Sequence, residues 1–130
     1  MSGQGARVWI FADGYLPLEG SGGKYVGHDC LCVVNTGEGD AELLLDFYFE
    51  DREAVEGVPA RVGAKRSLHL RLDRPVSGFS LPRELPYSLR LRSSVPVVAQ
   101  YSRLDVTQPN ATLMTTLGYS PGNAPLEPGR

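Results

Sequence analysis

Arg103 and Asp105 are the residues of this chain that most require a chemical explanation. They close a segment, Val97-Val98-Ala99-Gln100-Tyr101-Ser102-Arg103-Leu104-Asp105, that begins as an apolar strand. Side chains alternate across a strand, so Ala99, Tyr101, Arg103 and Asp105 share one face, and Gln100, Ser102 and Leu104 share the other. An arginine and an aspartate on the core side either satisfy each other or form the floor of a binding site. Such a site needs concavity, an aromatic wall and a few aimed polar groups. Trp9, Tyr15, Gln100, Tyr101, Arg103 and Asp105, with Arg66 from another strand, supply those types. Tryptophan and tyrosine serve equally as core or interface anchors, so both readings stand.

Catalysis would need a nucleophile with a base, a carboxylate pair or a metal cluster. His28 beside Asp29, together with His69, offers two imidazoles and a carboxylate, but neither histidine shows the short ligand spacing of a metal motif. No glycine pattern leads into a helix as a phosphate loop does. The chain is therefore read as non-enzymatic, with no catalytic set, no metal ligands and no cofactor. Cys30 and Cys32 are its only cysteines. One strand places them on the same face, too constrained to bridge each other when extended. They read as two buried thiols, since a metal site there would want a further ligand pair.

A chain of 130 residues supports one domain with a real core. Apolar and charged fractions are those of a soluble globular protein, the apolar runs fall far short of a spanning helix, and no basic-then-apolar leader opens the sequence. The expected location is cytoplasmic. The net charge of −2 argues against a protein built mainly around nucleic acid. Its distribution is more telling. Eleven acids from Asp13 to Glu56 stand against Lys24 and Arg52, whereas nine basic residues from Arg61 to Arg103 face only Asp73 and Glu84. That segregation brings opposite signs together between neighbouring strands or between subunits. A basic face of Arg61, Lys65, Arg71, Arg90 and Arg92 is the feature a nucleic acid would use.

The positioning elements come from period-two alternation. Strands are expected at Arg7 to Ala12, Asp29 to Asn35, Ala41 to Glu50, Arg61 to Leu72, Tyr87 to Ser93, Val95 to Leu104 and Ala111 to Tyr119. In the third, Leu43, Leu45, Phe47 and Phe49 face the core, and Glu42, Asp46, Tyr48 and Glu50 face water. Arg66 falls on the apolar side of its strand unless a bulge shifts the phase, and a buried guanidinium needs a carboxylate or several carbonyls. No segment has helical periodicity. The expectation is an all-β, antiparallel, single-domain β-sandwich of jelly-roll type over residues 1–120, with residues 121–130 as a flexible tail.

Three stretches, WIFADGYLP from Trp9, HDCLCVVNTG from His28 and SVPVVAQYSRLD from Ser94, resemble the sensory rhodopsin transducer family. Val62 to Arg66 and His69 fit the central strand of that family, and Leu113 to Tyr119 its last. The likeness runs from about Arg7 to Tyr119. It implies a small all-β sandwich that assembles as a cyclic homotetramer and acts as a cytoplasmic signal transducer. The implied partner is a membrane photoreceptor or another signalling protein, although many relatives stand without a rhodopsin. It also implies a sugar-like or nucleotide-derived small ligand, and DNA binding as a reported property of the founding member. This sequence departs from the family at Asp13 and Asp29, where glutamate is usual, and at Tyr101, where the cyanobacterial form has histidine. The set expected to line a ligand pocket or subunit junction is Trp9, Asp13, Tyr15, His28, Arg66, Gln100, Arg103 and Asp105. In it Arg66 and Arg103 act as donors, paired at rest with Asp13 or Asp105.

Overall fold

Alternating side chains fold into antiparallel strands throughout the computed structural model, which describes residues 3–20 and 24–121. The strands are β1 (Ala6–Gly14), β2 (His28–Asn35), β3 (Ala41–Phe49), β4 (Val55–Val62), β5 (Arg66–Arg71), β6 (Tyr87–Asp105) and β7 (Thr112–Leu117). They form one curled seven-stranded sheet, and the described residues contain no helix. The all-β, antiparallel sandwich expected from alternation is the fold observed.

β6, 19 residues long, is the spine. Its first part lies between β1 and β3, with β4 outside β3. Its second part lies between β2 and β7, with β5 outside β2. The strand changes layer where Ala6 pairs with Val97 but Val8 pairs with Arg92. Residues 93–96 of β6 thus oppose Arg7 alone, an irregularity that bends the strand and re-aims its second part. The bend folds the sheet over its own apolar face. Phe11, Leu43, Leu45, Phe47, Leu89 and Leu91 from one layer meet Leu31, Val33, Val97, Ala99 and Tyr101 from the other in a single buried cluster. Phe11 and Tyr101 stack across it, with ring centroids 5.4 Å apart.

The structure corrects the expected elements in three places. Arg61 to Leu72 is two strands, because Gly63 to Lys65 form a turn in which Lys65 takes φ 52°. Tyr87 to Ser93 and Val95 to Leu104 are one strand, continuous through Pro96. β4 itself starts at Val55, hidden in the sequence by Gly57 and Pro59, both of which disfavour strands. Gly57 sits at φ 76°, inside the register shift between Leu45 and Phe47. A side chain there would be strained. The expected tail, apart from Pro121, lies outside the described residues.

The charge segregation resolves into ion pairs within the chain. Arg61 pairs with Asp40 and Glu42, Lys65 with Glu38, Arg83 with Glu19 and Asp73, and Arg71 with Asp73. Arg90 and Arg92 pair with Asp46, Arg90 also with Glu56, and Arg103 with Asp29. Every member of the basic face expected for nucleic acid therefore has an acidic partner in its own chain.

Candidate functional site

Asp29 is the polar centre of the sandwich. It opens the inward series Asp29, Leu31, Val33, Asn35 of β2 and is fully buried. An isolated carboxylate so placed would be driven to neutrality, but this one is enclosed by donors from three segments. Arg103 Nε donates to Oδ1 at 2.8 Å and Arg103 Nη2 to Oδ2 at 3.2 Å. The Tyr15 backbone N–H donates to Oδ2 at 2.9 Å and the Tyr101 hydroxyl at 2.6 Å. The Tyr87 hydroxyl stands 3.1 Å from Oδ2 and also contacts the Tyr101 oxygen, so its one proton is shared between two acceptors. Register explains the convergence: Asp29 is the cross-strand partner of Arg103, and Leu31 of Tyr101. Burial first, then neighbouring charge from Asp29, pushes the Tyr87 phenol above its ordinary range; Tyr101 is raised likewise by burial and by Tyr87. Both remain donors. The hydrogen bonds from Arg103 to Asp29 hold the guanidinium in its charged form.

The structure brings only part of the expected set to this point. Arg103 is mostly buried, its Nη2 also reaching the Asp13 carbonyl at 3.4 Å, with the Asp13 carboxylate 3.9 Å away. Its guanidinium lies 5.9 Å from the centre of the Tyr15 ring. Tyr15 and Arg103 therefore hold Asp29 directly, and Asp13 reaches it only through Arg103. Trp9 does not join them; its indole N–H donates to the carbonyls of Val97 at 2.9 Å and Ala6 at 3.2 Å, bracing the bend in β6. His28 points to the outer face and contacts the Val26 carbonyl through Nδ1 at 2.7 Å. Gln100 is exposed on that same outer face, opposite Cys32 and Leu117.

Two pairings differ from expectation. Arg66 is in phase with Leu68 and Leu70, but it sits at the solvent-reached start of an edge strand, exposed, and donates to the Ala64 and Lys65 carbonyls. Asp105 does not pair with Arg103; it accepts from the Thr107 N–H and hydroxyl, closing the turn after β6. Asp29 and Tyr87 stand outside the expected set. The available signal was an acid in phase with Leu31 and Val33, whereas Tyr87 lies 58 residues away.

A second buried carboxylate, Asp46, lies on the opposite face of β3 from Leu45 and Phe47, the face expected to be wet. It is buried because Arg90 and Arg92 fold over it. Both Nε atoms donate to Oδ2 at 2.7 Å, Arg92 Nη2 donates to Oδ1 at 2.7 Å, and the Gly57 N–H donates to Oδ1 at 2.9 Å. Burial acts to raise its pKa, but the Arg92, Arg90 and Gly57 bonds outweigh it and leave a value of about 2.

An open cleft of about 300 Å³ adjoins the Asp29 network at one end of the sandwich. Asp13 and Gly14 of β1, Tyr48 to Glu50, and Pro86 to Ser88 line it. Gly14 is required there by close approach: a Cβ would lie 2.2 Å from Tyr87 Cε2. The Tyr87 ring thus connects the cleft to the buried carboxylate. Asp13 supplies a carboxylate at the rim.

The buried Asp29–Arg103 pair thus joins the start of β2 to the end of the layer-crossing β6. The family described as Anabaena sensory rhodopsin transducer matches residues 4–120. The chain belongs to that family. Among solved structures, the transducer fold is shared with Thermotoga maritima 1070, at 46% identity over 88% of this chain and 94% of that one, TM-score 0.80. It is also shared with the Anabaena sensory rhodopsin transducer, at 30% identity over 79% of this chain and 91% of that one, TM-score 0.71. No curated protein matches. The match spans β1 to β7, so the Asp29 network, the Asp46 cluster and the cleft all lie within the transducer domain. No helix among the described residues is long and apolar enough to cross a membrane.

Proposed function

We propose that the chain is a non-enzymatic, cytoplasmic signal-transducing subunit that works as a homotetrameric ring and relays the state of a membrane photoreceptor or another signalling protein. Membership of the transducer family supports the relay role. The observation that supports the non-catalytic part is the saturation of Asp29: its carboxylate is engaged by five donor contacts within the chain, two from a guanidinium, and so serves as a structural strut. The ring makes the rim around Asp13, Tyr15 and Arg103 a junction between copies. Light scattering of the purified chain at micromolar concentration should return four times the mass of one chain, and a monomer would remove the ring.

The cleft favours a second reading, a binding module for a small carbohydrate or nucleotide derivative without a rhodopsin partner. It combines concavity, the Tyr48, Phe49 and Tyr87 rings, and carboxylates of Asp13 and Glu50 able to accept from hydroxyls. Titration calorimetry against sugars, sugar phosphates and nucleotides separates the two readings. Saturable heat lost in Asp13→Ala supports the module; no heat with any of them leaves the transducer alone.

A further inference from the structure

The outer face of β2 carries a feature that neither the transducer fold nor the Asp29 network uses. Cys30 and Cys32 are free thiols, two residues apart on one face, with sulfur atoms 3.9 Å apart. Two thiolates bound to one tetrahedral ion at a metal–sulfur distance of about 2.3 Å stand about 3.8 Å apart. The thiols are thus already spaced as the two jaws of a chelate. Cys32 is partly exposed and Cys30 is buried, so an ion would reach the pair from the Cys32 side. Across the ladder, the cross-strand partner of Cys32 on β5 is His69, and on β6 Gln100. Both are exposed, and directly opposed residues share a face with Cβ atoms about 5 Å apart. Ser102 and Arg71 flank Cys30 in the same way, and Arg71 is held by Asp73 through two bonds of 2.8 Å.

We propose that Cys30 and Cys32 form a two-thiolate site for a soft, thiophilic metal ion of the zinc, cadmium or copper(I) class. Among the described residues no three histidine, cysteine or acidic side chains converge on one point, so the protein supplies two sulfurs and leaves the other positions to water or a small thiol. Soft sulfur donors select this class over magnesium or calcium. Binding a divalent ion forms two metal–sulfur bonds, displaces two metal-bound waters and releases the two thiol protons to solvent. The ion would be fixed to the strand whose next side chain inward is Asp29. It would lie outside the sandwich, while the carboxylate network lies within.

Titration of the full chain with Cd2+ alone, under a reductant that is not a thiol, tests the site through the ultraviolet thiolate-to-cadmium charge-transfer band. The band should rise to saturation at one ion per chain, with Zn2+ displacing it and Mg2+ not. Cys32→Ser, a small change at a partly buried position, should abolish it while the far-ultraviolet spectrum stays that of a β-protein. No band with Cd2+ in tenfold excess, a band that survives Cys32→Ser, or saturation at half an ion per chain would each overturn the single-chain chelate. Cys30→Ser serves as a second variant, with the same loss expected.

Discussion

At the scale of single residues, two buried aspartates are each held by arginine, and each yields its own test. Asp29 has one counter-charge, Arg103. Arg103→Ala leaves a buried carboxylate with only neutral donors, and breaking such a pair from one side costs about 3–5 kcal/mol. Urea unfolding at neutral pH should show that loss, whereas Arg52→Ala, whose acidic partner is the exposed Asp51, should leave the midpoint essentially unchanged. Asp46 has two counter-charges and titrates at about 2, down from 3.8. Because its folded pKa lies below the unfolded one, the unfolded chain binds more protons in between. The stabilisation is complete above about pH 4 and is lost as pH falls through about 2, an effect of about 2 kcal/mol. Unfolding midpoints measured along that interval should fall in the wild type and flatten in Asp46→Asn. An unchanged slope in the variant would assign the acid sensitivity elsewhere.

At the scale of elements, side chains decide where strands stop and turn. Asn35, fully buried at the end of β2, donates to the carbonyls of Gly39 at 2.8 Å, Gly63 at 3.3 Å and Val62 at 3.4 Å, and accepts from the Gly37 N–H at 3.0 Å. One amide thereby ties the β2–β3 loop to the turn between β4 and β5. Asn35→Ala should cost about 1–3 kcal/mol, and hydrogen exchange should show the Gly37 amide losing protection before those of β6. The same scale shows what is legible in the sequence. β2 and β3 are readable because their apolar side chains run in unbroken phase. β4 is not, because the bulge at Gly57 that serves Asp46 also erases the alternation. β5 merges with β4 because the three-residue turn keeps the phase of the flanking residues. The Arg103 anomaly is visible as an inward charge, but its partner is not. Asp29 sits 74 residues away, and pairing between strands depends on a register that no local pattern states. The expectation for Arg66 fails for a related reason: phase tells which way a side chain points, not whether an edge lets water reach it.

At the scale of the whole molecule, the acidic first half and basic second half of the chain neutralise each other strand against strand. Arg90 and Arg92 are turned onto Asp46, so the two arginines nearest the middle of β6 are not presented as unpaired charges. The layer-crossing β6 has a thermodynamic corollary. Since the middle rung of each layer is the same covalent segment, neither layer retains its pairing once the other has lost it. Melting should therefore be all-or-none for one chain, with calorimetric and van't Hoff enthalpies in agreement. Fluorescence of Trp9, in the first layer, should lose its native signal at the same temperature as amides of β2, in the second.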